Sequence, residues 1–147
     1  NTIAHTCRGS AKNMLGDYQG AIEDFSKVIE IDPSDTNAYT SRGNTKNMLG
    51  DYQGAIEDHT KALEIYPKIY FAYYYRGNAK SNSSDYQGAI LDYTKEIENL
   101  STFHEAFLHR GNAYFQLNQR EEASRDWKKA AELGNEDAAK LLKEHCE

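Results

Sequence analysis

The sequence predicts an all-α solenoid of stacked helical hairpins, and three observations carry that prediction. Arg-Gly recurs at Arg8, Arg42, Arg76 and Arg110, each 34 residues after the last. "KNMLGDYQGAIED" stands unchanged at Lys12–Asp24 and Lys46–Asp58, and "DYQGAI" returns at Asp85–Ile90. Within each period the apolar residues recur every three or four positions, as on a helix face, with no strand-like alternation. A fixed period of this length marks units that cannot bury their apolar stripes alone and must stack.

The period divides the 147 residues into four repeats, at about 2–35, 36–69, 70–103 and 104–137, read as one domain over 1–147. The first repeat turns at Gly16-Asp17, and the second shows the pattern in full. Its first helix is expected from about Thr36 to Leu49, with Gly50 suited to a left-handed C-cap and Asp51 to an N-cap. Its second helix then runs from about Tyr52 to Tyr66, and Pro67 stops it. Ala38, Tyr39, Gly43, Thr45 and Leu49 stripe the first helix, and Tyr52, Ala55, Ile56, His59, Ala62 and Leu63 the second. The Gly43 register lacks a Cβ in every repeat, which permits close helix approach, with Ala55 expected opposite. In the third repeat "IYFAYYYRG" (Ile69–Gly77) sets five aromatics in six positions; Tyr70 is expected to begin the helix, and Tyr73 to join Ala72 in the core. In the fourth repeat Asn118 tolerates a left-handed turn and Trp127 stands in the Phe25 register. Past Leu133 a last amphipathic helix, about 136–146, reads as a solvating cap. No matching cap precedes the first hairpin, which fits truncation or an end that pairs with something.

Composition narrows function. Net charge is −6, from 23 acidic and 17 basic residues, which opposes nucleic-acid binding through a basic stripe. No apolar run could cross a bilayer, and no signal peptide is visible, so membrane insertion is not expected and a cytoplasmic location is favoured. Cys7 and Cys146 read as unpaired thiols. The five histidines lack metal-ligand spacing, and His145 beside Cys146 reads as part of a frayed tail. No cofactor is expected. Gly20, Gly54 and Gly88 each open a second helix far from any strand, unlike a phosphate loop, and no nucleophile constellation stands out. The chain reads as a non-enzyme.

With Tyr39, Gly43, Leu49, Gly50, Tyr52, Ala55, His59, Ala62 and Pro67 and their equivalents, the chain resembles the tetratricopeptide repeat family over nearly its whole length. The resemblance implies a right-handed superhelix whose first helices line a concave groove that commonly binds peptides or proteins. Against that pattern Ser83-Ser84 replaces Leu-Gly, Glu96 a small Ala, Ser101 a Pro and Arg120 a Tyr. A left-handed Ser84 would carry about 1–2 kcal/mol of strain, so the third turn is expected to be soft. Arg8, Arg42, Arg76 and Arg110 stand where the family often has an apolar residue. Lys12, Lys46 and Lys80 follow one turn later, and Asp24, Asp58, Asp92 and Asp126 repeat on the second helices. These charges are expected to act as paired, half-buried struts; an anion-binding ladder is the alternative.

The groove implied by the resemblance would be lined by Asn37, Thr40, Asn44 and Asn47 from the second repeat. Phe71, Tyr74, Tyr75, Asn78 and Asn82 come from the third, and Leu108, Asn112 and Phe115 from the fourth. Amides that donate and accept, interleaved with rings, suit an extended and mostly uncharged peptide. The expected function is therefore a protein-interaction scaffold, with homotypic self-association, hence a homo-oligomer, as the alternative. Family members that clamp the C-terminal carboxylate of heat-shock chaperones use Lys or Arg at registers that here read Ile3, Thr6 and Cys7 and their equivalents, none of them basic. A chaperone-tail clamp is not expected.

Overall fold

The computed structural model describes residues 1–146, apart from the side chain of Cys146. Among the described residues there are nine helices and no strand. They are α1 (Thr2–Met14), α2 (Tyr18–Ile31), α3 (Thr36–Leu49), α4 (Tyr52–Ile65), α5 (Ala72–Asn82), α6 (Tyr86–Asn99), α7 (His104–Gln116), α8 (Arg120–Glu132) and α9 (Glu136–Cys146). The chain forms two compact units that part within α5, an N-terminal one of Asn1–Ala79 and a C-terminal one from Lys80 onward. In the N-terminal unit α1 packs on α2, α2 on α3 and α3 on α4; in the C-terminal unit α6 packs on α7, α7 on α8 and α8 on α9.

Local chemistry fixes the hairpin turns. Gly50 adopts a left-handed φ of 89°, and the Asp51 carboxylate accepts from Gly54 N at 3.0 Å, satisfying an orphan amide of α4. Asp17 and Asp85 cap α2 and α6 in the same way, so Gly20, Gly54 and Gly88 serve as amide donors to a cap. The third turn is left-handed at Ser84, with φ 66°, and the fourth at Asn118, with φ 61°. Asn135 caps α9 through Ala138 N at 2.8 Å.

Two sequence expectations are corrected here. Tyr70 does not begin α5: it is 79% exposed, and Phe71 takes a left-handed φ of 63°, so the helix opens at Ala72. Leu49 is not core but 50% exposed, at the last residue of α3.

The core explains the glycine register. Phe25, His59, Tyr93 and Trp127, one period apart on the second helices, are all 2% exposed or less. Fully burying a ring such as Phe25 stabilises by about 1.5–3 kcal/mol before the cost of ordering it. A Cβ built on Gly9 would lie 3.0 Å from the Phe25 ring, one on Gly43 2.9 Å from His59, and one on Gly111 2.7 Å from Trp127. The nearest neighbour of these glycines is thus the ring, and at Gly111 the carbonyl of Ala123, in the Ala55 register, follows at 3.2 Å.

The charged registers are struts. Arg42 Nε and Nη2 donate to Asp58 at 2.9 and 2.6 Å, and Arg110 holds Asp126 in the same fork at 2.7 and 2.8 Å. Arg8 donates to both oxygens of Asp24. Lys12, Lys46 and Lys80 add a second cation to Asp24, Asp58 and Asp92 at 3.0, 2.8 and 2.8 Å. Each of these aspartates is nearly fully buried, and the paired cations offset the cost of removing it from water.

Candidate functional site

In the N-terminal unit, Asn37 is exposed on α3, while Thr40, Asn44 and Asn47 are half-buried. Thr40 Oγ1 donates to Thr36 O at 2.9 Å, which leaves its oxygen lone pairs as acceptors. At the start of α5 the rings form a cluster centred on Tyr75. Its ring lies 5.9 Å from His59 in a stacked arrangement, 5.5 Å from Tyr74 and 6.5 Å from Phe71 edge-on. These separations are favourable for aromatic pairs. Phe71, Tyr74 and Tyr75 are each half-buried, so the three rings pack on one another while keeping part of their surface in solvent. Tyr75 also belongs to the interior through His59. Tyr73 lies beneath Arg76, whose guanidinium carbon is 5.6 Å from the ring centre. Asn78 is half-buried further along α5.

In the C-terminal unit Asn82 is exposed at the end of α5, and Leu108 is half-buried against the Phe107–Trp127 core. Asn112 and Phe115 line a cavity of about 320 Å³ together with Gln116, Trp127, Leu141 and His145. Trp127 Nε1 donates to Asn112 Oδ1 at 2.9 Å, so the indole fixes the amide's orientation and leaves its NH₂ as the donating end. Phe115 lies 5.4 Å from Trp127 and 4.8 Å from His145, and the Arg120 guanidinium caps the Phe115 ring at 5.7 Å. Burial lowers the pKa of the His109 imidazole, with the Glu105 carboxylate acting in the opposite sense.

Trp127, Leu141 and His145 line this cavity but were not read from the sequence as site residues. His145 is no frayed tail residue, since it lies in α9 and contacts both Phe115 and Trp127. The i, i+4 step from Leu141 to His145 on an amphipathic helix was the available signal. The Trp127–Asn112 bond was also unforeseen, although a buried indole N–H demands an acceptor. Among the described residues no group of three or more His, Cys, Asp or Glu could hold a metal ion. No helix among them is long and apolar enough to cross a membrane. Cys7 is a free, exposed thiol.

Tetratricopeptide repeat family models match residues 2–35, 36–69 and 104–137. Residues 70–103, with the departures at Ser83-Ser84 and Glu96, lie between these matches. No curated protein matches the chain. Among solved structures it is similar to a crystal structure of MamA, with 27% identity, TM-score 0.86, and 95% of this chain and 81% of that one covered. A MamA fragment from Desulfovibrio magneticus RS-1 gives 22% identity and TM-score 0.85, covering 90% of this chain and 75% of that one. The first TPR of Spaghetti (RPAP3), bound to the HSP90 peptide SRMEEVD, gives 22% identity and TM-score 0.76, covering 80% and 95%. These last two likenesses bear on the fold alone.

Proposed function

The chain belongs to the tetratricopeptide repeat family, and from that membership we propose that it is a non-enzymatic scaffold binding an extended, mostly uncharged segment of a partner protein. The observation that carries this reading is the cavity on α7. Its volume falls within the range of small ligand sites, its walls are aromatic and aliphatic, and Asn112 offers an oriented amide at its edge. An apolar partner side chain suits the space beside Phe115 and Leu141, and a peptide carbonyl suits the Asn112 NH₂. In the N-terminal unit, the half-exposed Tyr74 ring and the amides of Asn44 and Asn78 offer a second lining of the same chemistry.

A carboxylate-terminated peptide fits poorly. SRMEEVD is bound by the RPAP3 repeat domain, but the registers at which a clamp would need cations read Thr6, Thr40, Tyr74 and Leu108 here, and Cys7, Ser41, Tyr75 and His109.

Selection from a displayed peptide library tests the proposal. The expected sequences carry few charges and an apolar anchor, and a synthetic SRMEEVD peptide shows no saturable binding. Tyr74→Ala should weaken a selected peptide by about 2 kcal/mol or more, roughly thirtyfold, with the fold intact because the ring is only half-buried. An acidic consensus, or selected peptides indifferent to Tyr74→Ala and Asn112→Ala, would overturn it.

A further inference from the structure

The third repeat departs from its neighbours where its rings gather. Asn37 and Glu105, one period either side of Phe71, lie inside α3 and α7, whereas Phe71 precedes α5 with a left-handed φ of 63°. For a bulky side chain that backbone is an outlier, held only where its surroundings favour it. Here the surroundings are aromatic. The Phe71 ring lies 6.4 Å from Tyr70 and 6.5 Å from Tyr75, and Tyr75 lies 5.5 Å from Tyr74. Tyr70, Phe71, Tyr75 and Tyr74 thus form one connected row, whose successive planes are inclined by 47°, 68° and 57°. Tyr75 is stacked on the wholly buried His59, which fixes the row to the interior. Tyr70 stands 79% exposed at one end, and the other three rings are half-buried.

The row sits in a stretch without acids, since none occurs between Glu64 and Asp85. A basic segment therefore gains no ion pair from it. Of the three cations in the stretch, Arg76 donates to Thr60 Oγ1 at 3.1 Å and lies over the Tyr73 ring, and Lys80 is held by Asp92 at 2.8 Å. An acidic segment thus meets Lys68 alone, on an exposed loop. What the row offers instead is ring faces and hydrogen-bond donors. The donors are three tyrosine hydroxyls and, one turn on from Tyr74 and Tyr75, the amide of Asn78.

We propose, resting on the scaffold reading above, that this row binds a proline-rich segment of a partner protein in the polyproline II conformation. Such a segment has no internal hydrogen bonds, so its carbonyls are open to the hydroxyls and to Asn78. Its pyrrolidine rings are compact apolar groups that pack on aromatic faces. A helical segment would instead hide its carbonyls in its own ladder. The segment is stiff before binding, and the row is held by His59 and by the Phe71 backbone, so little conformational freedom is lost on either side. A second copy of the chain is a poor occupant, because its prolines, Pro33 and Pro67, stand singly.

The test titrates an end-blocked oligoproline of about nine residues, three polyproline II turns, into the isotopically labelled full chain and follows backbone amide shifts. A Gly-Ser peptide of the same length, uncharged but flexible, is the control. Saturable shifts over residues 69–78 are expected, with the oligoproline about tenfold tighter than the control or better. Tyr74→Ala should weaken its binding roughly tenfold, and Tyr70→Ser about threefold. Because Tyr70 is largely exposed, its replacement leaves the fold intact and keeps the result readable if Tyr74→Ala disturbs α5. Absence of saturable shifts at millimolar oligoproline, equal affinity for the Gly-Ser control, shifts centred on α1 or α7, or indifference to both substitutions would overturn the proposal. If oligoproline fails while a proline-free peptide from the library binds through Tyr74, the assignment to proline falls and the scaffold reading stands. If neither binds, both fall.

Discussion

Asp24 gathers Arg8, His5 and Lys12 around one buried carboxylate. Its pKa is held well below the usual carboxylate range, chiefly by the hydrogen bond from Arg8; burial opposes this shift, and His5 and Lys12 reinforce it. A carboxyl depressed in the folded state adds stability that is fully present above its unfolded pKa of about 3.9 and lost as pH falls toward the folded value. The melting temperature should therefore decline below about pH 4.5, and Asp24→Asn should flatten part of that decline. A melting profile with the same acid slope in both proteins would show that the strut does not titrate in this way. Arg42 is the more deeply set strut: it pairs with Asp58, bonds Ser26 and covers Tyr39. Arg42→Ala should cost about 2 kcal/mol, more than the 0–1 kcal/mol of an exposed pair. It should cost less than a fully orphaned buried charge, since Lys46 stays 2.8 Å from Asp58. Chemical denaturation of the two proteins measures this, and equal midpoints would contradict it. The Arg–Asp pairing was legible in the sequence because both residues recur at one period. The hydroxyls of Ser26, Thr60 and Thr94 that meet Nη1 of Arg42, Arg76 and Arg110 were not, since each belongs to another hairpin and only stacking brings it near.

The helices differ in how well their ends are written. Turns with Leu-Gly-Asp-Tyr carry a left-handed glycine and a capping aspartate, and α2 and α4 start where the sequence places them. Departures from that turn cost conformational energy: Ser84 sits at φ 66° with a side chain that disfavours it. Ser84→Gly should raise stability by roughly 0.5–1 kcal/mol despite the added freedom of the unfolded chain, read as a higher melting temperature. A lower melting temperature would mean that the Ser84 side chain contributes more than its backbone loses. In the opposite direction, Gly43→Ala should destabilise by about 1–3 kcal/mol, because the new methyl meets the wholly buried His59 ring at 2.9 Å. The late start of α5 was hidden from periodicity. Phe71 fits the helical spacing as a residue type, yet its left-handed backbone sets the helix back to Ala72. That backbone also turns Phe71 toward Tyr70 and Tyr75.

For the molecule taken whole, a net charge of −6 combines with candidate linings that are mostly amide, hydroxyl and aromatic. Affinity for a selected peptide should therefore change little, less than about threefold, between low and high ionic strength, because exposed charges are the ones salt screens. Steep salt dependence, measured by titration at both conditions, would move the binding surface onto the charged outer faces of the second helices. The repeat, the helix types, the hairpin turns and much of the interior were readable from the linear chain, though Leu49 is 50% exposed and Tyr73 only half-buried. A 34-residue period forces equivalent residues into equivalent places, and 3.6 residues per turn assigns each helix an inner and an outer face. The stack of neighbours settled the rest. It packed Tyr75 on His59, drew His145 into the cavity beside Phe115, and bound the Asn112 amide to Trp127. Periodicity reports which way a side chain leaves its helix, whereas exposure and ring contact depend on what stands opposite, and that is set by elements distant in sequence.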